Sequence, residues 1–286
     1  MAIEQARPFV KWAGGKSKLV PQILARVPAI WNRETDLYLE PFLGGGAVFF
    51  ALQPEKAILN DRNFQLMSLY HNVQRNLTKF WDAFVRVQAP YNGNPEVTYA
   101  AVRGNYNGDL RLCPGHSDVN QAARLLFLNK TCFNGIYRVN SSGQFNVPWG
   151  KNPNVGFPTL EHLQCCSTVL QDAQLLSHNF ADPEIAKLDV KGALIYCDPP
   201  YMPVSGTADF TSYTADGFGY VCQLHLAVQA AYWRGEGAHV ILSQSADESL
   251  VDQYRRLGFR ADLVQAARAI NSKGDGRGPV GEYIIY

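Results

Sequence analysis

Apolar and polar positions along this 286-residue chain follow a strand-then-helix rhythm at both ends and a mainly helical one in the middle. A short helix is predicted over residues 18–26, where Leu19, Ile23 and Val27 recur at helical spacing. Leu37, Tyr38 and Leu39 form an apolar run that meets Glu40 and Pro41, then Gly44-Gly45-Gly46 and an apolar segment from Ala47. This reads as strand, tight turn and helix. A second strand, residues 56–60, ends at Asp61. Phe64, Met67, Leu69, Tyr70, Val73, Leu77, Trp81, Phe84 and Val85 predict one long amphipathic helix over residues 64–87, its apolar side facing the core. Residues 91–95 and 104–108, rich in Asn and Gly, read as loops. A further helix is predicted over residues 119–130, and segments 136–140 and 144–147 around Ser141-Ser142-Gly143 give a hairpin signal. After residue 164 the alternation returns, with a helix or strand in 168–177. A strand over 190–197, a helix over 220–234, a strand over 238–243 and a helix over 248–257 follow. Two closing strands are predicted at 268–271 and 282–286.

Composition narrows this to an ordinary globule. Hydrophobic content of 47% against 18% charged residues is too apolar for a disordered chain. No apolar run approaches the ~20 residues of a membrane span. The first 18 residues lack a signal core, so a cytoplasmic protein is expected. The six cysteines show no C-x-x-C pair and no histidine partners at metal spacing, which predicts reduced, mostly buried thiols and no metal site. A net charge of +1 neither favours nor excludes a nucleic-acid partner, so any basic surface must be local.

Three stretches carry candidate chemistry. The first is Lys11-Trp12-Ala13-Gly14-Gly15-Lys16-Ser17. Its end imitates a phosphate-binding loop, but Val10 stands where that pattern needs glycine. It reads better as a loop offering backbone amides, Lys16 and the Trp12 ring to an anionic, partly flat ligand. The second is the turn at residues 44–46 followed by Asp61. Glycines after a strand let the backbone approach a ligand closely, and an acid at the tip of the next strand is placed to accept two ribose hydroxyls. Phe49 stands where the dinucleotide fingerprint needs its last glycine. A nucleoside cofactor without a pyrophosphate therefore fits, and S-adenosylmethionine is one. Taken alone, Asp61 is equally well a helix cap.

The third stretch is Leu194-Ile195-Tyr196-Cys197-Asp198-Pro199-Pro200-Tyr201. The prolines cannot donate to a ladder, so the strand stops and leaves Asp198 at its carboxyl end, where open α/β sheets bind ligands. A carboxylate, two proline-fixed carbonyls and a ring make a grip on a planar amine. Such an amine is a poor nucleophile because its lone pair is delocalised. Accepting its hydrogens on Asp198 and the Pro199 carbonyl draws the nitrogen toward a tetrahedral shape. Between Asp118 and Glu161 there is no acid, while Arg124, Lys130, Arg138 and Lys151 alternate with asparagines and rings. That composition on a hairpin suits groove reading and stacking on a displaced base. The loop at 202–218 reads as a lid and the glycine-rich, basic loop at 272–279 as a phosphate contact.

Five motifs in order resemble the Dam-type DNA adenine methyltransferases, including methylases of GATC restriction systems, over nearly the whole chain. They are residues 11–16, 40–46, 133–138 (Phe-Asn-Gly-Ile-Tyr-Arg), 144–150 and 198–201. The resemblance implies an α/β, Rossmann-like mixed sheet that binds S-adenosylmethionine, formed by residues 1–63 and 158–286. A mainly helical target-recognition domain carrying a β-hairpin is inserted at residues 64–157. It implies cofactor contacts at Trp12, Lys16, Phe42, Gly44, Asp61, Phe180 and Asp198, and contacts to the amine and base at Asp198, Pro199 and Tyr201. Lys11, Phe133, Asn134, Ile136, Arg138 and Pro148 match positions that read or enter double-stranded DNA. A cognate restriction endonuclease is an implied functional partner. Asn179 stands where some members have Asp, and Phe133 where some have Tyr. Adenine and GATC rest on this resemblance. From the residues alone, cytosine N4, RNA adenine, a protein glutamine amide and a non-enzymatic DNA-binding role stay open.

Overall fold

The computed structural model describes residues 5–112, 118–201, 218–267 and 279–286. A short helix α1 (Val20–Leu24) with Pro21 in its first turn precedes the sheet. Strand β1 (Leu37–Glu40) leads through the glycine turn into α2 (Ala47–Leu52) and then β2 (Lys56–Asn60). Four helices follow, α3 (Phe64–Arg75), α4 (Leu77–Gln88), α5 (Pro95–Leu112) and α6 (Val119–Thr131). After the hairpin region come α7 (Leu160–Leu170), β3 (Gln174–Leu176), α8 (Pro183–Ala186) and β4 (Leu194–Cys197). The chain ends with α9 (Tyr220–Gly235), β5 (His239–Ser245), α10 (Glu248–Arg256), β6 (Ala261–Ala267) and β7 (Pro279–Ile285).

The seven strands among the described residues form one sheet in the order β3-β2-β1-β4-β5-β7-β6. The first five are parallel, and β7 runs antiparallel to both neighbours. From β1 the chain winds outward through β2 to β3, then crosses back to β4 and winds the other way. The carboxyl ends of β1 and β4 therefore flank the point where winding reverses, which is where such sheets leave a crevice for ligands.

Side chains of a strand alternate between its faces, so each strand feeds two cores. Tyr38, Leu59, Leu194, Tyr196 and Ile241 pack on one face with residues of α2–α7, including Phe49, Phe80, Phe84, Leu126 and Phe127. Leu39, Ile58, Ile195, Cys197 and Leu242 pack on the other with Leu226 and Trp233 of α9 and Leu250 and Tyr254 of α10. Among the described residues no helix is long and apolar enough to cross a membrane.

Three expectations need correction. The helix predicted over 64–87 breaks at Asn76, whose backbone leaves helical space at φ −128° and ψ 29°. Residues 104–108 are helical, inside α5, because buried Tyr99, Val102 and Tyr106 anchor one side while Gly104 and Gly108 face open space. The hairpin at 136–147 is held by the single bridge Val139–Phe145 rather than a ladder. Among the described residues, the strand before β7 is β6, at 261–267. The strand expected at 268–271 falls outside the described residues, as do most of the lid expected at 202–218 and nearly all of the basic loop at 272–279.

Candidate active site

All four residues of β4 are buried, and the strand ends where Pro199 and Pro200 remove two donors. Gln223 on α9 donates to the Pro200 carbonyl at 2.8 Å and accepts from the Gln244 amide on β5 at 3.0 Å. The Tyr196 hydroxyl pairs with Ser243 at 2.9 Å. The proline turn is thus tied to β5 and α9 and holds Asp198 at the mouth of the crevice.

Lys16 reaches this mouth from the N-terminal loop. It is only 5% exposed, and its ammonium lies 2.7 Å from Asp198 Oδ1, 3.2 Å from Glu282 Oε1 and 2.6 Å from the Gly14 carbonyl. It also sits 4.7 Å from the centroid of the Tyr201 ring. Burial pushes the Asp198 carboxyl above the usual aspartate range, and the Lys16 ammonium pulls it part of the way back. Glu282 is raised in the same way, by burial first. Burial disfavours the Lys16 charge, but the two carboxylates outweigh it and hold the ammonium protonated. The Tyr201 hydroxyl is buried with no hydrogen-bond partner among the described residues. An unmatched buried polar atom costs free energy until a ligand completes it.

On the β1 side, Asp61 ties the glycine turn down. Its Oδ2 accepts from the Gly44 amide at 2.9 Å and its Oδ1 from the Asn63 amide at 2.8 Å. Asn63, not Asp61, caps α3 by accepting from the Leu66 amide. Burial raises the Asp61 carboxyl and the two amides pull it back. Tyr70 donates to the Gly44 carbonyl at 3.1 Å. Gly44 is left-handed at φ +48°, and a methyl there would stand 2.8 Å from the Trp12 ring. Only glycine allows Trp12 to lie on the turn.

Asn60 gathers two aromatic loops. It donates to the carbonyls of Pro41 and His178 at 2.9 and 3.0 Å and accepts from the His178 amide at 2.8 Å. Phe42 and Phe180 consequently meet at 5.3 Å, and Phe218 closes on both at 5.7 and 5.8 Å. Asn179 accepts from the Ala181 amide at 3.1 Å, so its side chain holds its own loop.

The remaining candidates cluster on the region after α6. Phe133 and Asn134 are exposed on a single 3-10 turn, with Asn134 at φ +56°, and the Phe133 amide donates to the Pro148 carbonyl at 2.9 Å. Arg138 donates through Nε to Asn146 Oδ1 at 2.7 Å and through Nη2 to its carbonyl at 3.3 Å. Pro148 is exposed and Ile136 half-buried. Lys11 is exposed beside this turn, and Trp12 stacks on Tyr137 with centroids 5.9 Å apart and planes 21° apart. The expected residues therefore form three groups: Lys16, Asp198 and Tyr201; Trp12, Gly44 and Asp61; and the outer turn with Lys11. Phe42, just past the end of β1, packs against the buried Phe180.

Sequence reasoning missed Glu282, Gln223 and Asn129. Glu282 carried a signal, being an acid in a closing strand otherwise rich in buried apolar residues. The two amides carried none, because their partners lie far away in the sequence.

This sheet order, with its last strand reversed between two others, is that of the methyltransferase fold. The chain belongs to the D12 class N6 adenine-specific DNA methyltransferase family, whose pattern matches residues 12–270. It is 34% identical to the Type II methyltransferase M1.LlaDCHI of Lactococcus lactis subsp. cremoris, over 98% of this chain and 94% of that protein. It is 35% identical to the Type II methyltransferase M.MjaIII of Methanocaldococcus jannaschii, over 96% of each chain. It is 32% identical to the DNA adenine methylase of Escherichia coli strain K12, over 99% of this chain and 95% of that one. The chain is an enzyme that methylates adenine N6 in DNA.

Proposed function

We propose that the enzyme takes its methyl group from S-adenosylmethionine and places it on an adenine flipped out of GATC in duplex DNA. The observation that carries this reading is the buried cluster at the switch point: Lys16 between Asp198 and Glu282, beside a Tyr201 hydroxyl without a partner among the described residues. The residues around the crevice suit that cofactor. A glycine-only turn admits a close backbone approach, Phe42 and Phe180 offer flat apolar walls, and buried carboxylates suit a cationic donor. Trp12, Lys16, Phe42, Gly44, Asp61, Phe180 and Asp198 are the residues that would hold it. When bound, it supplies a methyl group already activated on a sulfonium.

The chain's own residues do the rest. Asp198 accepts one N6 hydrogen and the Pro199 carbonyl the other, which aims the nitrogen lone pair. Tyr201 stacks on the base, whose extrusion costs a few kcal/mol of lost stacking and pairing. As the methyl carbon bonded to N6, its bond to sulfur would break with the electron pair staying on sulfur as a neutral thioether, and the cationic N6 would pass the proton facing Asp198 to that carboxylate. Orientation and proximity provide much of the rate. Residues 64–157 form the recognition domain and residues 1–63 and 158–286 the catalytic one. Lys11, Phe133, Asn134, Ile136, Arg138 and Pro148 read or enter the DNA, with Arg138 suited to a guanine edge. The enzyme is read as cytoplasmic, where its DNA substrate lies, with a cognate restriction endonuclease as a functional partner.

The test is Asp198→Ala with sequencing of methylated adenines in DNA from cells expressing each form. The native enzyme marks adenine in GATC. The variant loses at least about 100-fold in turnover measured at saturating cofactor, where any lost cofactor contact of Asp198 does not enter. Near-normal turnover would overturn the mechanism, and marks outside GATC would overturn the site.

A further inference from the structure

Asn129, in the last turn of α6, is 3% exposed and makes three side-chain hydrogen bonds, two of them across a long sequence gap. Its Oδ1 accepts from the Lys11 amide at 2.8 Å, 118 positions away. Its Nδ2 donates to the Lys11 carbonyl at 2.6 Å and to the Gly135 carbonyl at 3.2 Å. The N-terminal loop is thereby bolted to the turn at residues 133–135. The fit is close: a methyl on Gly135, which has φ +66°, would stand 2.5 Å from Lys11 Cβ. The very next residue, Trp12, lies on the Gly44 turn and stacks on Tyr137. Two consecutive residues therefore join the two halves of the site, one fastened to the outer turn and one to the glycine turn. A buried amide holding three such bonds, with both donors used, has little freedom to yield, so displacement at one end is carried to the other.

We infer that Asn129 is a positioning residue that makes the glycine turn and the outer turn move as one body, so that an occupied cofactor site sharpens discrimination between DNA sites. This rests on the assignment of those turns in the proposed function. Coupling of this kind is reciprocal: if cofactor tightens the correct DNA, the correct DNA tightens cofactor by the same factor.

Asn129→Asp keeps an acceptor for the Lys11 amide but sets a carboxylate against the carbonyls of Lys11 and Gly135. The experiment measures the affinity of full-length enzyme for a GATC duplex and for one with a single base changed, each with and without S-adenosylhomocysteine. In the native enzyme the ratio of the two affinities rises by about fivefold or more when that ligand is added. In Asn129→Asp the rise falls below about twofold, the ligand's affinity for DNA-free enzyme stays within about twofold, and KM for DNA rises more than kcat falls. A merely structural role would lower the melting temperature and leave the native ratio in place, which would overturn the inference. A native ratio indifferent to the ligand would also overturn it. Gly135→Ala, which drives a methyl into Lys11 from the other side, gives the same readout if Asn129→Asp does not fold. Arg138→Ala is carried alongside. If it too keeps native discrimination, the reading of the outer turn is wrong and the inference falls with it. If it loses discrimination while Asn129→Asp keeps it, only the inference fails.

Discussion

Asp198 works as a hydrogen acceptor only when ionised, and its surroundings oppose ionisation. Burial raises its carboxyl, and the Lys16 ammonium at 2.7 Å is what draws it back. The acid limb of kcat/KM should therefore lie above the usual aspartate range. Lys16→Met removes the cation and should move that limb to higher pH, separately from any fall in the plateau caused by weaker cofactor binding. A pH profile at saturating cofactor reads this, and a limb that stays put or moves down would count against Asp198 as the titrating group. Asp198 was legible in the sequence because its setting is local: an apolar run, then two prolines. Gly44 and Asp61 were legible for the same reason. The Asp61 role as a tie on the Gly44 amide was not, since a carboxylate at a strand tip looks the same whether it meets a ribose or a backbone amide. Glu282 stood out as an acid in an apolar strand, but its pairing was not legible because its partner, Lys16, is far from it in the sequence.

Helix α5 shows why the middle of the chain was harder to read. Glycine and asparagine at residues 104–108 signal a loop by propensity, yet tertiary contacts on one face override a cost of about 1 kcal/mol per glycine. Those contacts also explain how a hairpin with one bridge holds its shape. Asn107 on α5 donates to the Phe145 carbonyl at 3.0 Å and accepts from its amide at 2.8 Å, acting as a strand partner. Tyr99 and Arg103 donate to the Val147 carbonyl at 2.7 and 3.3 Å. The arm that presents Asn146 to Arg138 thus hangs on a helix. Asn107→Ala leaves two backbone groups of Phe145 without partners and should cost about 1–3 kcal/mol. Faster hydrogen exchange confined to residues 139–147, with weaker DNA discrimination and cofactor affinity within about twofold, is the expected outcome. Unchanged exchange in that arm would mean that the bridge alone suffices.

Across the whole molecule, the α/β rhythm announced a sheet, but strand order depends on long-range pairing that no local pattern records. The reversed β7 is held by register with β5 and β6 rather than by anything in its own residues. The same limit applies to the helices at residues 64–157. Periodicity marks their apolar faces without saying what covers them, and an inserted unit suggests a core of its own. Instead, Phe80, Phe84, Leu126 and Phe127 belong to one cluster with Phe9, Tyr38, Leu59 and Leu194 of the sheet side. Gln74 of α3 donates to the carbonyls of Leu170 and Ala173 at the end of α7 at 2.5 and 2.7 Å, closing the joint with polar bonds. A shared core makes unfolding of either part expose the other. The chain should therefore melt in one transition seen alike by calorimetry, near-ultraviolet dichroism and loss of cofactor affinity. Phe84, fully buried among Phe80, Trp81 and Phe157, is the probe. Phe84→Ala should cost about 3–5 kcal/mol and shift that single transition as a whole, cofactor site included. A melt that splits, with cofactor binding surviving the loss of the helices, would show that the two parts fold independently.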